Sequence, residues 1–371
     1  MGCPMTGARR RLVWRLVPPL GVATALAALL IAGRGLLPAP LDVIFSLLEL
    51  LVLMGAVFAS VHHADVIAHR TGEPYGTLVL TVAVTVIEVA LILSIMLTGD
   101  GSPTLARDTV FSVVMVVCNG LVGLSLIVGG LRYGEQGFRV PGASAYLVVL
   151  MPLATLALIL PNYTTSAAGP FFTATQLSFV SLVTLVLYGV FLYVQTVRHR
   201  DYFLSDAAAS PDEAASGAPT MCQVWESVVL LVAALAAVVL LAKSFAGSVG
   251  STMAVLGAPI GAVGLLVALL VLLPETMAAL RAARRNQLQK SLNLALGSSL
   301  ATIGLTIPAV SILSMIVERP LALGLDLRDS IVLALTFAVS LVTFGAGRTN
   351  ILPGFVHLVL FATFVFLIFV P

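Results

Sequence analysis

The chain has 371 residues, of which 59% are hydrophobic and 10% are charged, and its net charge at pH 7 is +2. A soluble domain carries about 25% charged residues, so this composition excludes a soluble globular protein. Apolar stretches of about 20 residues recur along the chain, which is the length of a membrane-spanning helix. The alternating ten-residue segments of a membrane β-barrel do not occur. The sequence therefore predicts an all-α polytopic membrane protein.

Eleven apolar stretches are candidates for membrane-spanning helices. Arg9, Arg10, Arg11 and Arg15 precede or open the first of them. Because Lys and Arg favour the cytoplasmic side of short loops, we predict a cytoplasmic N-terminus and a multi-pass location in the inner (cytoplasmic) membrane. The basic stretches act as topology signals and require no nucleic-acid partner; lipids and transported ions are the expected partners. The predicted spans are 14–36, 41–61, 76–98, 109–131, 144–161, 174–197, 224–243, 253–279, 290–316, 330–345 and 350–370.

A polar linker divides these spans into two comparable sets. The stretch "SDAAASPDEAASGAPTM" at 205–221 is rich in Ala, Ser, Pro and acidic residues, a composition typical of a loop. After one extra helix, five spans precede the linker and five follow it. Because five is an odd number, the two sets must insert with opposite orientation, which is the arrangement of an inverted-topology repeat. We predict an N-terminal arm with one extra helix (1–38), a first five-helix repeat (39–200), a cytoplasmic linker (201–222) and a second five-helix repeat (223–371).

One carboxylate interrupts the second span of each repeat. Glu88 lies in "TVAVTVIEVALILSIML" and Glu275 in "LLVALLVLLPETMAAL". A charged side chain at the bilayer centre costs at least about 2.5 kcal/mol, so such residues usually have a function. Burial and a neighbouring like charge both favour the protonated carboxyl, unless a cation compensates the charge. Cation and proton would then compete for the same oxygens, which predicts a cation/proton antiporter rather than an enzyme.

Small polar residues near these acids could complete the ligand shell of a cation. The candidates are Thr85, Asn119, Ser298 and Ser299, together with main-chain carbonyls freed by Pro274 and by a break at Pro308. Two glutamates would neutralise Ca²⁺, which takes six to eight oxygen ligands. Na⁺ or K⁺ at the same site is the alternative. No resident cofactor is expected.

Other polar residues leave two interpretations open. Glu49, a third acid within a span, could relay protons or could be structural. His62, His63 and His69, with Asp65, could bind a metal or sense pH, or could simply be histidines at the membrane interface. An intramembrane serine protease based on "GSS" at 297–299, and a scaffold that transports nothing, are the alternative functional classes.

Three stretches resemble the calcium/cation antiporter superfamily, in particular its bacterial calcium/proton exchangers of the ChaA type. They are "HRTGEPYGTLVLTVAVTVIEVALILSIML", "ARDTVFSVVMVVCNGLVGLSLIVGGLR" and "VLLPETMAALRAARRNQLQKSLNLALGSSLATIGLTIPAV". The resemblance implies one extra helix, two inverted five-helix repeats and alternating access driven by protons. It also implies that Glu88 and Glu275 are the acidic ligands and that Asn119 and the Gly297-Ser298 pair contribute from the following spans. The family's Gly-Asn-Ala-X-Glu-like motif is replaced here by "VTVIE" and "VLLPE", which leaves Ca²⁺, Na⁺ and K⁺ open as substrates.

Overall fold

The computed structural model describes residues 7–32, 39–71, 75–98, 103–204, 219–256 and 259–370, and within them the chain is almost entirely helical. Residues 205–218 of the predicted linker lie outside the described residues, as do 1–6 and 33–38 of the predicted N-terminal arm. In chain order the helices are α1 (Gly7–Ala32), α2 (Ala39–Thr71), α3 (Tyr75–Thr98), α4 (Leu105–Met115), α5 (Val122–Tyr133), α6 (Val140–Ala154), α7 (Ala174–Tyr193), α8 (Met221–Leu256), α9 (Ile260–Arg284), α10 (Leu288–Ala301), α11 (Ile307–Val317), α12 (Leu327–Gly345) and α13 (Ile351–Phe369).

Nine helical stretches of the described ranges are long and apolar enough to cross a membrane. Each of the eleven predicted spans overlaps a described helix, and these helices follow in the predicted order. The remaining two correspond to α1 and to α3, whose shorter apolar part is Thr81–Ser94. The prediction of an all-α polytopic membrane protein is confirmed. The nine stretches are Leu48–Thr71, Leu105–Tyr133, Val140–Tyr163, Ala174–Arg198, Met221–Ala242, Gly261–Arg284, Leu288–Val317, Leu327–Gly345 and Ile351–Phe369.

Two of the long spans contain a π-helical turn near their middle. Val116–Leu121 joins α4 to α5, and Thr302–Thr306 joins α10 to α11. The second turn has a cause in the sequence, because Pro308 offers no N–H and its ring would collide with the carbonyl four residues earlier, at Gly304. The predicted break at Pro308 is therefore a change of helical pitch and not an interruption of the helix. Such turns often mark functional sites.

The chain divides into two compact units, Met1–Gly101 with Gly217–Leu256, and Ser102–Ser216 with Gly257–Pro371. In the first unit α8 packs against α1, α2 and α3. Small residues bring these helices close together: a Cβ built on Gly21 would lie 3.0 Å from the Cβ of Ala237. Each unit draws helices from both sides of the predicted linker.

In the second unit glycines allow the backbones of neighbouring helices to approach closely. A Cβ on Gly264 of α9 would lie 2.8 Å from the carbonyl carbon of Asp108 in α4, and one on Gly123 of α5 would lie 2.9 Å from the carbonyl oxygen of Gly354 in α13. Beyond α5, β1 (Gln136–Gly137) pairs antiparallel with β2 (Arg348–Thr349) just before α13. These contacts hold α4, α5, α9 and α13 together.

The two spans with a π turn near their middle run antiparallel within the second unit. The Ser291 hydroxyl donates to the Ser125 hydroxyl at 3.0 Å, and the Ser299 hydroxyl contacts the Cys118 thiol. One position rises along the chain from 118 to 125 while its partner falls from 299 to 291. Opposite direction is what an inverted-topology repeat requires of equivalent spans.

Candidate functional site

Glu275 lies inside α9, directly after Pro274, and its side chain is 5% exposed. It is hydrogen-bonded to the side chain of Ser298 on α10, and because a carboxylate can only accept, the serine hydroxyl donates. Among the described residues no donor reaches the other carboxylate oxygen, Oε2. A buried carboxylate in a membrane span therefore keeps one oxygen available for a proton or a cation.

The next residue of α10 extends this group of polar side chains to the first π turn. Ser299 is fully buried, and its hydroxyl contacts the Cys118 thiol. Cys118 and Asn119 are neighbours in that turn, just as Ser298 and Ser299 are in α10. Since α9, α10 and the π turn pack against one another, Glu275, Ser298 and Ser299 lie on helices that adjoin the turn containing Asn119.

Asn119 is fully buried and its amide has partners on both sides. Its Nδ2 donates to Thr336 Oγ1 of α12 at 2.8 Å and faces Met115 Sδ at 3.7 Å. Its Oδ1 lies 3.1 Å from His357 Nδ1 of α13. The other ring nitrogen, Nε2, lies 3.2 Å from Thr343 Oγ1 of α12.

Sequence reasoning did not identify Thr336, Thr343 or His357 as members of this site. Thr336 and Thr343 are seven residues apart, two helical turns, so they lie on the same face of α12. His357 is fully buried within α13, whose other residues are apolar apart from Thr363. An isolated titratable residue in a membrane span was the available signal, since such residues usually have a function.

Three predicted site residues lie in the first unit. Glu88 of α3 is 2% exposed, and Thr85, one helical turn earlier, is buried with its hydroxyl donating to the Thr81 carbonyl at 2.9 Å. Glu49 of α2 is also buried, at 5% exposure. Both carboxylates therefore lie where a spanning helix is covered by its neighbours. Such burial is what the sequence predicts for acids that act within the membrane.

The histidines near the end of α2 make contacts that hold the first unit together. His62 stacks on Trp14 of α1 with ring centroids 4.8 Å apart. His63 Nε2 lies 3.0 Å from the Trp14 carbonyl oxygen, and its Nδ1 lies 3.4 Å from Ser227 Oγ of α8. His69 lies 3.8 Å from the Asp65 carboxylate. Within the described ranges, no group of three or more His, Cys, Asp or Glu side chains could hold a metal ion.

Residues 41–197 and 226–370 match the family described as sodium/calcium exchanger protein. A protein of Sinorhizobium fredii described as an ionic transporter, y4hA, is 49% identical over 331 residues, which cover 89% of this chain and 90% of the relative. The sodium-potassium/proton antiporter ChaA of Escherichia coli is 38% identical over 333 residues, with coverage of 89% and 90%.

Solved structures show the same fold. The structure of native YfkE superposes with a TM-score of 0.71 at 17% sequence identity and covers 96% of this chain and 100% of that one. The family match extends across both sides of the predicted linker. The chain therefore belongs to the sodium/calcium exchanger family, within the calcium/cation antiporter superfamily, and is a multi-pass cation antiporter.

Proposed function

We propose that this antiporter exports Ca²⁺ in exchange for H⁺ by alternating access, with Glu88 and Glu275 as the groups that bind cation or proton in turn. The observation that carries the proposal is the state of Glu275. Its carboxylate is 5% exposed, accepts from Ser298, and has an oxygen that no donor of the described chain satisfies. A purely structural glutamate at this depth would be expected to have both oxygens paired.

Competition between the two ions follows from electrostatics. A carboxylate out of water is stable when it is either protonated or neutralised by a cation. A proton on Oε2 removes the negative charge that a cation needs, and a bound cation displaces the proton. The empty site, with its charged carboxylates, is not expected to switch from one side of the membrane to the other. If only the proton-loaded and cation-loaded states switch sides, the result is exchange of the two ions.

The choice of Ca²⁺ depends on charge and ligand number. Two glutamates balance the two charges of Ca²⁺, and its large oxygen shell could be completed by Thr85, Asn119, Ser298, Ser299 and main-chain carbonyls. Na⁺ or K⁺ at the same site is the second candidate, and the name of the Escherichia coli relative, a sodium-potassium/proton antiporter, favours it. A more distant relative, from Aphanothece halophytica and 24% identical over 281 residues, is named a Ca²⁺/H⁺ antiporter.

The proposal also includes a proton relay outside the ligand shell. Glu49, buried in α2, relays protons within the first unit.

The proposed orientation places the N-terminus on the cytoplasmic side. The Arg-rich segment before α10, with Arg281, Arg284 and Arg285, lies on the same side.

The test uses the purified full chain in proteoliposomes that contain a pH-sensitive dye. Gradients of Ca²⁺, Na⁺ and K⁺ are imposed separately, and proton movement is recorded for the natural protein, Glu88→Gln and Glu275→Gln. Each variant removes a charge and keeps the shape of the side chain. We expect Ca²⁺ at about micromolar concentration to drive proton movement, and both variants to abolish it.

Glu135→Gln is the matched control, because Glu135 is an exposed acid in the turn between α5 and β1. It should exchange ions like the natural protein. Full exchange by Glu88→Gln or Glu275→Gln would contradict the shared roles of the two acids. Proton movement with Na⁺ or K⁺ alone would contradict the choice of Ca²⁺ and would support the monovalent candidate at the same residues.

A further inference from the structure

We propose that His357 is a positioning residue that fixes the orientation of the Asn119 amide, one of the proposed cation ligands. The inference rests on the proposed function, since it matters for transport only if Asn119 contributes an oxygen to the cation. The contacts that carry it join α13, the first π turn and α12, all within the second unit.

The direction of each hydrogen bond in this group can be worked out from Thr336. Its hydroxyl has one hydrogen, which is directed at the Val332 carbonyl at 2.8 Å. Thr336 Oγ1 is therefore an acceptor toward Asn119, and the group 2.8 Å away must be the amide nitrogen. This places the amide oxygen, Oδ1, on the side of His357.

The same reasoning defines the state of the histidine. Asn119 Oδ1 has no hydrogen, so His357 Nδ1 must carry one and donate it across 3.1 Å. Nε2 of the neutral ring then accepts the hydroxyl hydrogen of Thr343 at 3.2 Å. Every polar atom of the Asn119 and His357 side chains thus has a partner without any charge.

The two contacts on Asn119 oppose a flip of its amide. Rotation by half a turn would direct Nδ2 at the His357 N–H and Oδ1 at the lone pairs of Thr336, so both contacts would become repulsive. An amide oxygen has two lone pairs, and His357 uses one of them. The other lone pair keeps a fixed direction in which a cation can use it, which is the kind of preorganisation that a binding site gains from its supporting residues.

The test separates the two nitrogens of His357 with two non-titratable variants. In His357→Asn the amide nitrogen takes approximately the place of Nδ1 and can still donate to Asn119. In His357→Gln it takes approximately the place of Nε2, so contact with Thr343 is kept and the donor to Asn119 is lost. Both variants have similar polarity and leave no charge in the helix.

The assay is cation-driven proton movement in proteoliposomes, measured as the half-saturating cation concentration and the maximal rate. We expect His357→Gln to raise the half-saturating concentration by about two- to tenfold, the equivalent of one hydrogen bond, with little change in maximal rate. His357→Asn should restore the natural value. In an Asn119→Ala background, His357→Gln should have no further effect, because the group that it positions is already gone.

Equal half-saturation in the natural protein and His357→Gln would overturn the inference while leaving the proposed function standing. Equal loss in both His357 variants would also overturn it, since a role in packing or titration would then explain the effect. A natural protein that moves no protons with any cation would overturn the proposed function and this inference together. Measurements of thermal unfolding and of the size-exclusion profile of both variants control for a general loss of folding.

Discussion

Ser298→Ala is the most informative single substitution, because it removes the hydroxyl that donates to the buried carboxylate and changes the volume of the side chain very little. The Ser298 hydroxyl donates to Glu275, whose side chain is 5% exposed. A hydrogen bond to a charged group contributes about 1.5–3 kcal/mol, and every 1.4 kcal/mol is about a tenfold change in an equilibrium constant. The lost stabilisation falls on the ionised carboxylate, which is the form that binds a cation.

The cation therefore binds more weakly relative to the proton in Ser298→Ala. We expect the half-saturating cation concentration at fixed pH to rise at least about tenfold in Ser298→Ala, whereas the maximal rate at saturating cation should change much less. Ser298→Thr keeps the hydroxyl and should remain within about threefold of the natural protein. The measurement is proton movement in proteoliposomes over a series of cation concentrations.

A control on the same helix distinguishes this effect from simple loss of a buried serine. Ser291 is also fully buried in α10, and its hydroxyl donates to Ser125 at 3.0 Å, a bond between neutral groups. Ser291→Ala should lower stability by about 1 kcal/mol and leave half-saturation unchanged. The reasoning is refuted if Ser298→Ala and Ser291→Ala have the same half-saturation while Glu275→Gln is inactive.

Two further predictions concern packing and proton transfer. Gly264→Ala should lower the thermal stability of the second unit by the equivalent of about 1–3 kcal/mol, because the added Cβ would lie 2.8 Å from the backbone of Asp108. Gly189→Ala in α7 is the control and should be tolerated, because nothing lies within 4 Å of the new Cβ. Equal melting temperatures for the two variants would contradict the packing argument. Glu49→Gln should alter the pH dependence of exchange more than the half-saturating cation concentration, as expected for a relay that does not touch the cation; an unchanged pH profile, measured over several pH values in the same liposomes, would contradict the relay.

The helices were predictable from the sequence because each needs only a local apolar run of sufficient length. Their ends were less so. The span predicted at 41–61 belongs to α2, which continues to Thr71 through "HHADVIAHR", and the span predicted at 224–243 belongs to α8, which runs from Met221 to Leu256. Polar residues at the end of a spanning helix can stay helical in the interfacial region, so loss of hydropathy does not mark the end of the backbone hydrogen-bond ladder.

Of the two π turns near the middle of a span, one has a proline close by in the sequence and the other does not. Pro308 follows Thr302–Thr306 and disturbs the helical bonds of its preceding turn. Val116–Leu121 has no proline within its helices, α4 and α5. Asn119, in the middle of this turn, bonds to Thr336 and His357, which lie far away in the chain.

The candidate site shows the same limit more sharply. Glu275, which is buried and bonded to Ser298, could be identified from the sequence alone, because a single carboxylate within a long apolar stretch is conspicuous. The environment of Asn119 could not, since its partners Thr336 and His357 follow 217 and 238 residues later. A threonine in a spanning helix can satisfy its own hydroxyl by donating to the carbonyl four residues earlier, as Thr336 does with Val332, so its presence alone carries little information. What makes it part of a site is that this local bond leaves its oxygen as an acceptor, and only the fold shows which donor that oxygen meets.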